Sequence, residues 1–172
     1  MIVYLMMIDS PEDRSKFEKL YIEYRESMYQ AAYSLLHNEY DAEDAVHQAF
    51  VKIAEIIDIV DGTLCARTKS FVILITERKA IDMLRYIQRH PTVSLDEIEI
   101  GITIEYDGPN ALTRCMAQLP ANYRQVLLLK HAHGFTSSET ARILGLSEAN
   151  VIKIDQRAKK KLLSLCQEEG LY

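Results

Sequence analysis

The 172-residue chain has no tryptophan, four prolines, six glycines and three cysteines. Scarce Gly and Pro leave long uninterrupted strings, which favours helices over turn-rich β architecture. The cysteines, Cys65, Cys115 and Cys166, are odd in number and far apart in sequence. No pair has metal-ligand or redox spacing, so free thiols in a reducing cytosol are expected. No long hydrophobic run occurs. The apolar opening, residues 1–8 (MIVYLMMI), is far shorter than the roughly 20 residues a spanning helix takes. It lacks a basic flank and a small-residue cleavage site, so it is not expected to be a signal peptide. A strand or helix turn packed on the body is expected there. The chain also lacks a Gly-rich phosphate loop, a His-x-x-x-His pair and a Cys-x-x-Cys. Its five histidines (His37, His47, His90, His131, His133) form no ligand set, and His131 and His133, two apart, would point to different sides of a helix. Catalysis, a bound metal and a cofactor are therefore not expected.

Apolar residues make up 48% of the chain and charged ones 26%, which is enough apolar material for a packed core. The net charge of −5 argues at first against a nucleic-acid partner, but it is an average over unlike segments. Residues 1–90 carry 11 basic and 15 acidic residues, residues 91–111 carry 5 acids and no base, and residues 112–172 carry 9 basic and 5 acidic. A basic end thus stands beside an acidic middle.

Apolar spacing predicts an all-α chain. Over 16–37 the residues Phe17, Leu20, Tyr21, Tyr24, Met28, Ala31 and Leu35 keep one helical face. Over 41–57 the same spacing recurs from Ala42 to Ile57, with Asp41 as the expected N-cap. Asp61-Gly62 marks a break, and a third long helix is expected over 67–89. Pro91 ends it. Residues 91–111 hold Pro91, Gly101, Gly108 and Pro109 and read as an acidic linker, longer than a compact domain usually tolerates. Two small helical domains follow from this, over 1–90 and 112–172. In the second, short helices are expected over 111–118 and 121–133, with Gly134 closing the latter.

Residues 136–158 carry the main signal. Thr136 and Glu139 form a capping box. Ala141 is small where two helices would cross, and Gly145 allows the tight turn between them. Ser147 caps a second helix, whose inner face would bury Val151, Ile154 and Ala158. Cap, small residue, turn and period agree on a DNA-reading helix-turn-helix. Its outer face would offer Asn150, Lys153 and Gln156 to base edges, with Arg157 and Lys159 to Lys161 for phosphates. An ordinary helical hairpin with a solvated basic end is the plainer alternative. A second set lies before Pro91. Arg78, Arg85 and Arg89 share one face at i, i+7 and i+11, with Asp82 among them and Tyr86 and His90 adjoining. Cations beside aromatics suit an unpaired nucleic-acid strand, but Asp82 could equally pair with its neighbours on a solvated face.

Three stretches, in order, resemble one family. Residues 41–50 (DAEDAVHQAF), 80–85 (AIDMLR) and 119–127 (LPANYRQVL) with the helix-turn-helix after them are similar to bacterial RNA polymerase sigma factors of the extracytoplasmic-function type. The resemblance covers about residues 16–165. It implies a region 2-like bundle that binds core polymerase and opens the minus-ten element, and a region 4-like module that reads the minus-thirty-five element. It puts Asp44, Gln48 and Phe50 in the polymerase-docking segment. It puts Arg78, Lys79, Asp82, Arg85, Tyr86 and Arg89 where the non-template strand is captured, and Ser147, Asn150, Lys153, Gln156, Arg157 and Lys160 on the recognition helix. The acidic linker would thread near the catalytic cleft. An anti-sigma protein is the further implied partner, and the location implied is cytoplasmic, without membrane insertion. Several residues depart from the family pattern. Typical members have basic residues at the positions of Leu74, Glu77, Ile152 and Ile154, an apolar residue at Asp155 and Asn at Arg78.

Two other readings fit the sequence. One is a stand-alone helix-turn-helix regulator with a sensing or dimerising N-terminal domain. The other is a protein-interaction module that has lost DNA binding.

Overall fold

The computed structural model describes residues 1–89 and 111–170, with the side chains of residues 88 and 89 left out. The expected linker, residues 91–111, and His90 lie outside the described residues except for Ala111. The described residues are helical, with no strand among them. The chain divides into two compact units, Met1–Glu99 and Ile100–Tyr172.

The first unit is a bundle of three long helices with a short one on its side. Helix α1 spans Ile2–Leu5, α2 Pro11–Leu36, α3 Glu39–Glu55 and α4 Ala66–Arg89. Helix α2 starts five residues earlier than its apolar spacing announces. Ser10 accepts a hydrogen bond from the Asp13 amide, Pro11 stands at the first helical position, and Glu12 and Asp13 sit in the first turn. Its stripe of Phe17, Leu20, Tyr24, Met28 and Ala32 is fully or nearly buried. The helix stops at Leu36 because His37 takes a left-handed conformation (φ 51°).

That stop moves the next start. Asn38, not Asp41, caps α3, and its side chain accepts the Asp41 amide at 3.1 Å. Asp41 falls instead in the first turn, where the helix dipole still favours its charge. Between α3 and α4, Gly62 has no room for a side chain, since a Cβ would meet the Lys16 chain at 2.6 Å. Phe71, Val72, Leu74 and Ile75 are buried on nearly all sides of α4, as expected where one helix packs against two others. The Thr76 hydroxyl, buried among them, donates back to the Val72 carbonyl at 2.9 Å.

The apolar opening is a helix turn, not a strand. Tyr4 and Ile8 are buried, and the Tyr4 ring lies against Phe17, Tyr21 and Phe50. The Tyr4 hydroxyl and His47 Nδ1 are 2.6 Å apart, which ties α1 to α3.

The second unit contains α5 (Ala111–Ala117), α6 (Ala121–Leu127), α7 (Ser137–Leu144) and α8 (Glu148–Glu168). Cys115, Leu119, Leu127, Ala158, Leu165 and Cys166 form one core cluster, with Met116, Tyr123 and Leu162 against it. The helix expected to run unbroken over 121–133 instead widens into a π-turn at Leu128–Ala132. The His133 amide reaches five residues back to the Leu128 carbonyl at 2.9 Å. Gly134 then turns with φ 79° and ends it.

Candidate functional site

In the second unit the helix-turn-helix forms as its sequence dictates. The Glu139 amide donates to Thr136 Oγ1 at 3.1 Å, and Glu139 Oε2 accepts the Thr136 amide at 2.8 Å. These bonds favour the ionised carboxylate, so the Glu139 carboxyl titrates below the usual glutamate range. Gly145 takes φ 65° and lets the Leu146 amide return to the Ala141 carbonyl at 3.0 Å. Ser147 caps α8 by accepting the Asn150 amide at 3.3 Å. Val151, Ile154 and Ala158 are buried, as the period requires.

Asn150, Lys153, Gln156, Arg157 and Lys160 are all exposed along α8, and so are Ser147 and Lys161. They form a polar and basic outer face about three turns long. Ile152 stands in that face at 41% exposure. It is an apolar side chain held out to solvent where its neighbours are charged.

Beside this face lies an arrangement that the sequence does not announce. Asp155 is 6% exposed, and its carboxylate gathers three partners. Lys130 donates at 3.2 Å, His131 Nε2 lies at 2.8 Å, and Lys159 lies at 3.1 Å. Burial pushes the Asp155 carboxyl up, but the bonds from His131, Lys159 and Lys130 outweigh it and hold the group below the usual range. Lys159 pairs one turn along α8, while Lys130 and His131 arrive from the π-turn 24 or 25 residues away. Their separation is why no local motif marks the cluster.

In the first unit, two sets of residues expected separately meet on one surface. A groove of about 520 Å³ is lined by Asp41, Asp44 and Gln48 from α3 and by Asp82, Met83, Tyr86 and Ile87 from α4. Gln48 donates to Asp44 at 2.9 Å. Asp82 is bracketed by Arg78 at 3.1 Å and Arg85 at 3.6 Å, so the helix pairing that its spacing allowed does form. Tyr86 is 67% exposed and projects from the rim. Met83 and Ile87, not singled out beforehand, supply apolar lining.

Four expected site residues differ from their fellows. Phe50 is 1% exposed, with its ring centroid 4.7 Å from Tyr21 and 5.8 Å from Phe17. It is a core residue that seats α3 against α2, because the apolar stripe of α3 runs through it; no partner can reach its side chain. Arg78 keeps only 18% of its side chain exposed, whereas Arg85 keeps 43%. Arg89 is the last residue of α4, and its side chain is outside the described residues. Lys79 is half-buried. Of the positions that depart from the family pattern, Leu74 and Glu77 are buried within the bundle, so neither presents a side chain to a strand.

The chain matches two models of one family, in order. Residues 20–90 match Sigma-70 region 2, and residues 110–162 match Sigma-70, region 4. The chain belongs to the sigma-70 family. It is similar to the extracytoplasmic-function RNA polymerase sigma factor SigM of Bacillus subtilis, at 25% identity over 86% of this chain and 93% of the relative. It is also similar to SigM of Mycobacterium tuberculosis, at 24% identity over 89% of this chain and 78% of that one. The sigma factor RpoE, solved in complex with the anti-sigma factor NepR from Bartonella quintana, superposes with a TM-score of 0.43 at 20% identity, covering 87% of this chain and 95% of that one. As an extracytoplasmic-function sigma factor, this protein directs transcription initiation. No described helix of it is long and apolar enough to cross a membrane, and no group of three or more His, Cys, Asp or Glu among the described residues could hold a metal ion.

Proposed function

We propose that this sigma factor works through two unlike surfaces, an acidic groove for core polymerase and a basic helix face for duplex DNA. The single observation that carries the reading is the contrast between Asp41 and Asp44 at the groove and Arg157 and Lys160 on α8. Carboxylates repel phosphate, so the α3 side of the groove suits a basic protein surface. Asp44 and Gln48 are the docking residues on this reading, and Phe50 holds their helix in place from behind. Lys79, Arg85 and Tyr86 face the non-template strand of the minus-ten element, where phosphate neutralisation and stacking are both needed, and the same role is assigned to position 89 by its place in the chain. Arg78 and Asp82 orient Arg85, since Arg78 is mostly covered and Asp82 joins the two guanidiniums.

On α8, Asn150, Lys153 and Gln156 read base edges in the minus-thirty-five element, and Arg157 and Lys160 hold phosphates. Ser147 serves first as the helix cap, and its backbone region lies at the positive end of α8, where a phosphate is favoured. The region 2 and region 4 modules occupy residues 1–90 and 112–172, with the acidic segment 91–111 as tether. The protein is cytoplasmic, has no catalytic activity or cofactor of its own, and has an anti-sigma protein as a third partner. Family membership supports that last assignment.

The test is assembly on core polymerase followed by transcription from a promoter selected out of random sequence. Asp44→Lys is expected to lose holoenzyme formation while the chain remains folded. Lys153→Ala with Arg157→Ala is expected to keep holoenzyme formation and lose the upstream element. A chain that neither co-purifies with core polymerase nor directs it to any selected promoter overturns the reading.

A further inference from the structure

The Asp155 side chain is buried, and its two oxygens are divided among three partners on two elements. Oδ1 lies 2.8 Å from His131 Nε2. Oδ2 accepts from Lys130 at 3.2 Å and lies 3.1 Å from Lys159. Lys159 stands one turn along α8, while Lys130 and His131 come from the π-turn Leu128–Ala132. Consecutive residues of a regular helix point about 100° apart, yet here two consecutive side chains end on one carboxylate. Asp155 also sits among the residues that point outward. Asn150 and Lys153 precede it on α8, Gln156, Arg157 and Lys160 follow it, and all five are exposed.

We propose that Asp155 is a positioning residue for upstream promoter recognition, which locks α8 to the π-turn and so fixes the rotation of its reading face. The inference rests on the reading of α8 as the helix that meets base edges. The rest of its inner face near Asp155, made of Val151, Ile154 and Ala158, is apolar. Apolar contact is non-directional, so it holds a helix down without closely fixing its rotation. A charged hydrogen bond is directional. With Lys130 on one oxygen and His131 on the other, the π-turn sets both the rotation of α8 and its height along the axis.

The tolerance for reading is narrow. Side chains that recognise a ligand must be held within about 0.5 Å and 10–20° of the productive geometry. A side-chain tip about 6 Å from the helix axis moves about 1 Å when the helix turns by about 10°. That shift is enough to spoil a two-bond contact from Asn150 or Gln156 to a base edge. Stability gives a weaker reason for the cluster. Taking a carboxylate and an ammonium out of water costs about as much as their attraction returns, and an apolar pair of similar volume serves a core as well or better. What the charges add is one defined geometry, and Asp155 adds it in the middle of the segment that carries Asn150, Lys153 and Gln156.

The experiment uses the full chain assembled on core polymerase and an upstream element that the native protein selects from random sequence. Two quantities are read for each variant. One is the melting temperature of the second unit. The other is discrimination, the ratio of transcription from the selected element to that from its single-base substitutions. Asp155→Leu with Lys130→Met replaces the ion pair by apolar side chains. This double variant is expected to form holoenzyme and to melt within about 5 °C of the native protein, yet to lose about tenfold in discrimination. Asp155→Asn alone keeps the shape and one acceptor, and is expected to lose only about threefold. His131→Gln, at a half-exposed site, is expected to leave the fold intact and lose about threefold, and it decides the matter if the double variant misfolds. Native discrimination in the folded double variant overturns the proposal, as does native discrimination in His131→Gln where the double variant misfolds. Discrimination that falls only in step with the melting temperature overturns it too. Lys153→Ala with Arg157→Ala separates this claim from the reading beneath it. If that chain also keeps native discrimination, α8 is not the reader and both fall; if it alone loses discrimination, only the positioning role falls.

Discussion

The two units reach stability by different means. Among the described residues, three buried polar or charged side chains lie in the first unit, Thr68, Thr76 and Glu77, while the smaller second unit buries five: Arg124, Gln125, His133, Thr140 and Asp155. The first unit instead gathers aromatic rings, with Tyr4, Phe17, Tyr21 and Phe50 in mutual contact. The first core rests mainly on packing of apolar and aromatic side chains. The other depends on satisfied charges, which titrate. The lesson concerns what each unit presents outside. A long apolar bundle leaves its polar groove free for a partner, while the small unit uses charge on both sides of its main helix, inward at Asp155 and outward at Arg157 and Lys160.

The largest break in this comparison comes from Phe50→Ala. Removal of a fully buried ring is expected to destabilise the first unit by about 4 kcal/mol. Hydrogen exchange on each unit is the measurement, and equal loss of protection in both units would contradict independent cores.

Next in size is Asp155→Ala, expected to destabilise the second unit by about 3 kcal/mol, because Lys130 keeps a mostly covered side chain with no counter-charge. The same group gives the pH test. Its folded-state pKa is depressed, so its contribution is fully present above the unfolded value, about 3.9, and is lost as pH falls through the folded one. Melting of the second unit is therefore expected to fall with acid below about pH 4, and to lose part of that dependence in Asp155→Ala. The bonds Phe50 makes carry no charge, so its contribution is expected to be flat across the same range.

Thr136→Ala removes one arm of the capping box and is expected to cost the second unit about 1 kcal/mol, read from its thermal melt. Smallest in stability is Ile152→Lys, at under about 0.5 kcal/mol for an exposed site. It sharpens the comparison on the outside instead. An added cation on the DNA face is expected to steepen the salt dependence of promoter binding by about one phosphate contact. A branched apolar side chain there also suits a thymine methyl group, so replacing thymine by uracil in the upstream element is expected to weaken the native protein and not the lysine variant. An unchanged salt slope for Ile152→Lys would remove residue 152 from the interface.

Much of the helix-turn-helix was legible because its signals are local. A cap, its partner three residues on, a left-handed glycine and a 3.6-residue period all act within one or two turns, and Thr136, Glu139, Gly145 and Ser147 behave accordingly. The start of α3 was misread at Asp41, since nothing local shows that a histidine will turn left-handed at position 37 and free Asn38 to cap. Phe50 sits in a segment whose resemblance points to a partner, but resemblance marks a segment and burial decides each side chain. The groove was half legible. Its two walls were read as separate sets, and their meeting depends on how α3 packs on α4.

By itself the sequence determined an all-α chain, two modules of opposite charge, the family and the helix-turn-helix, because periodicity, capping and composition are written within a few residues of where they act. Only the tertiary structure decided that Asp155 would hold Lys130 and His131, that Asp44 and Tyr86 would share a groove, and that Cys115 and Cys166 would enter one core cluster. Each of those is a contact between helices. Its existence depends on crossing angle and register, which no single stretch of chain contains.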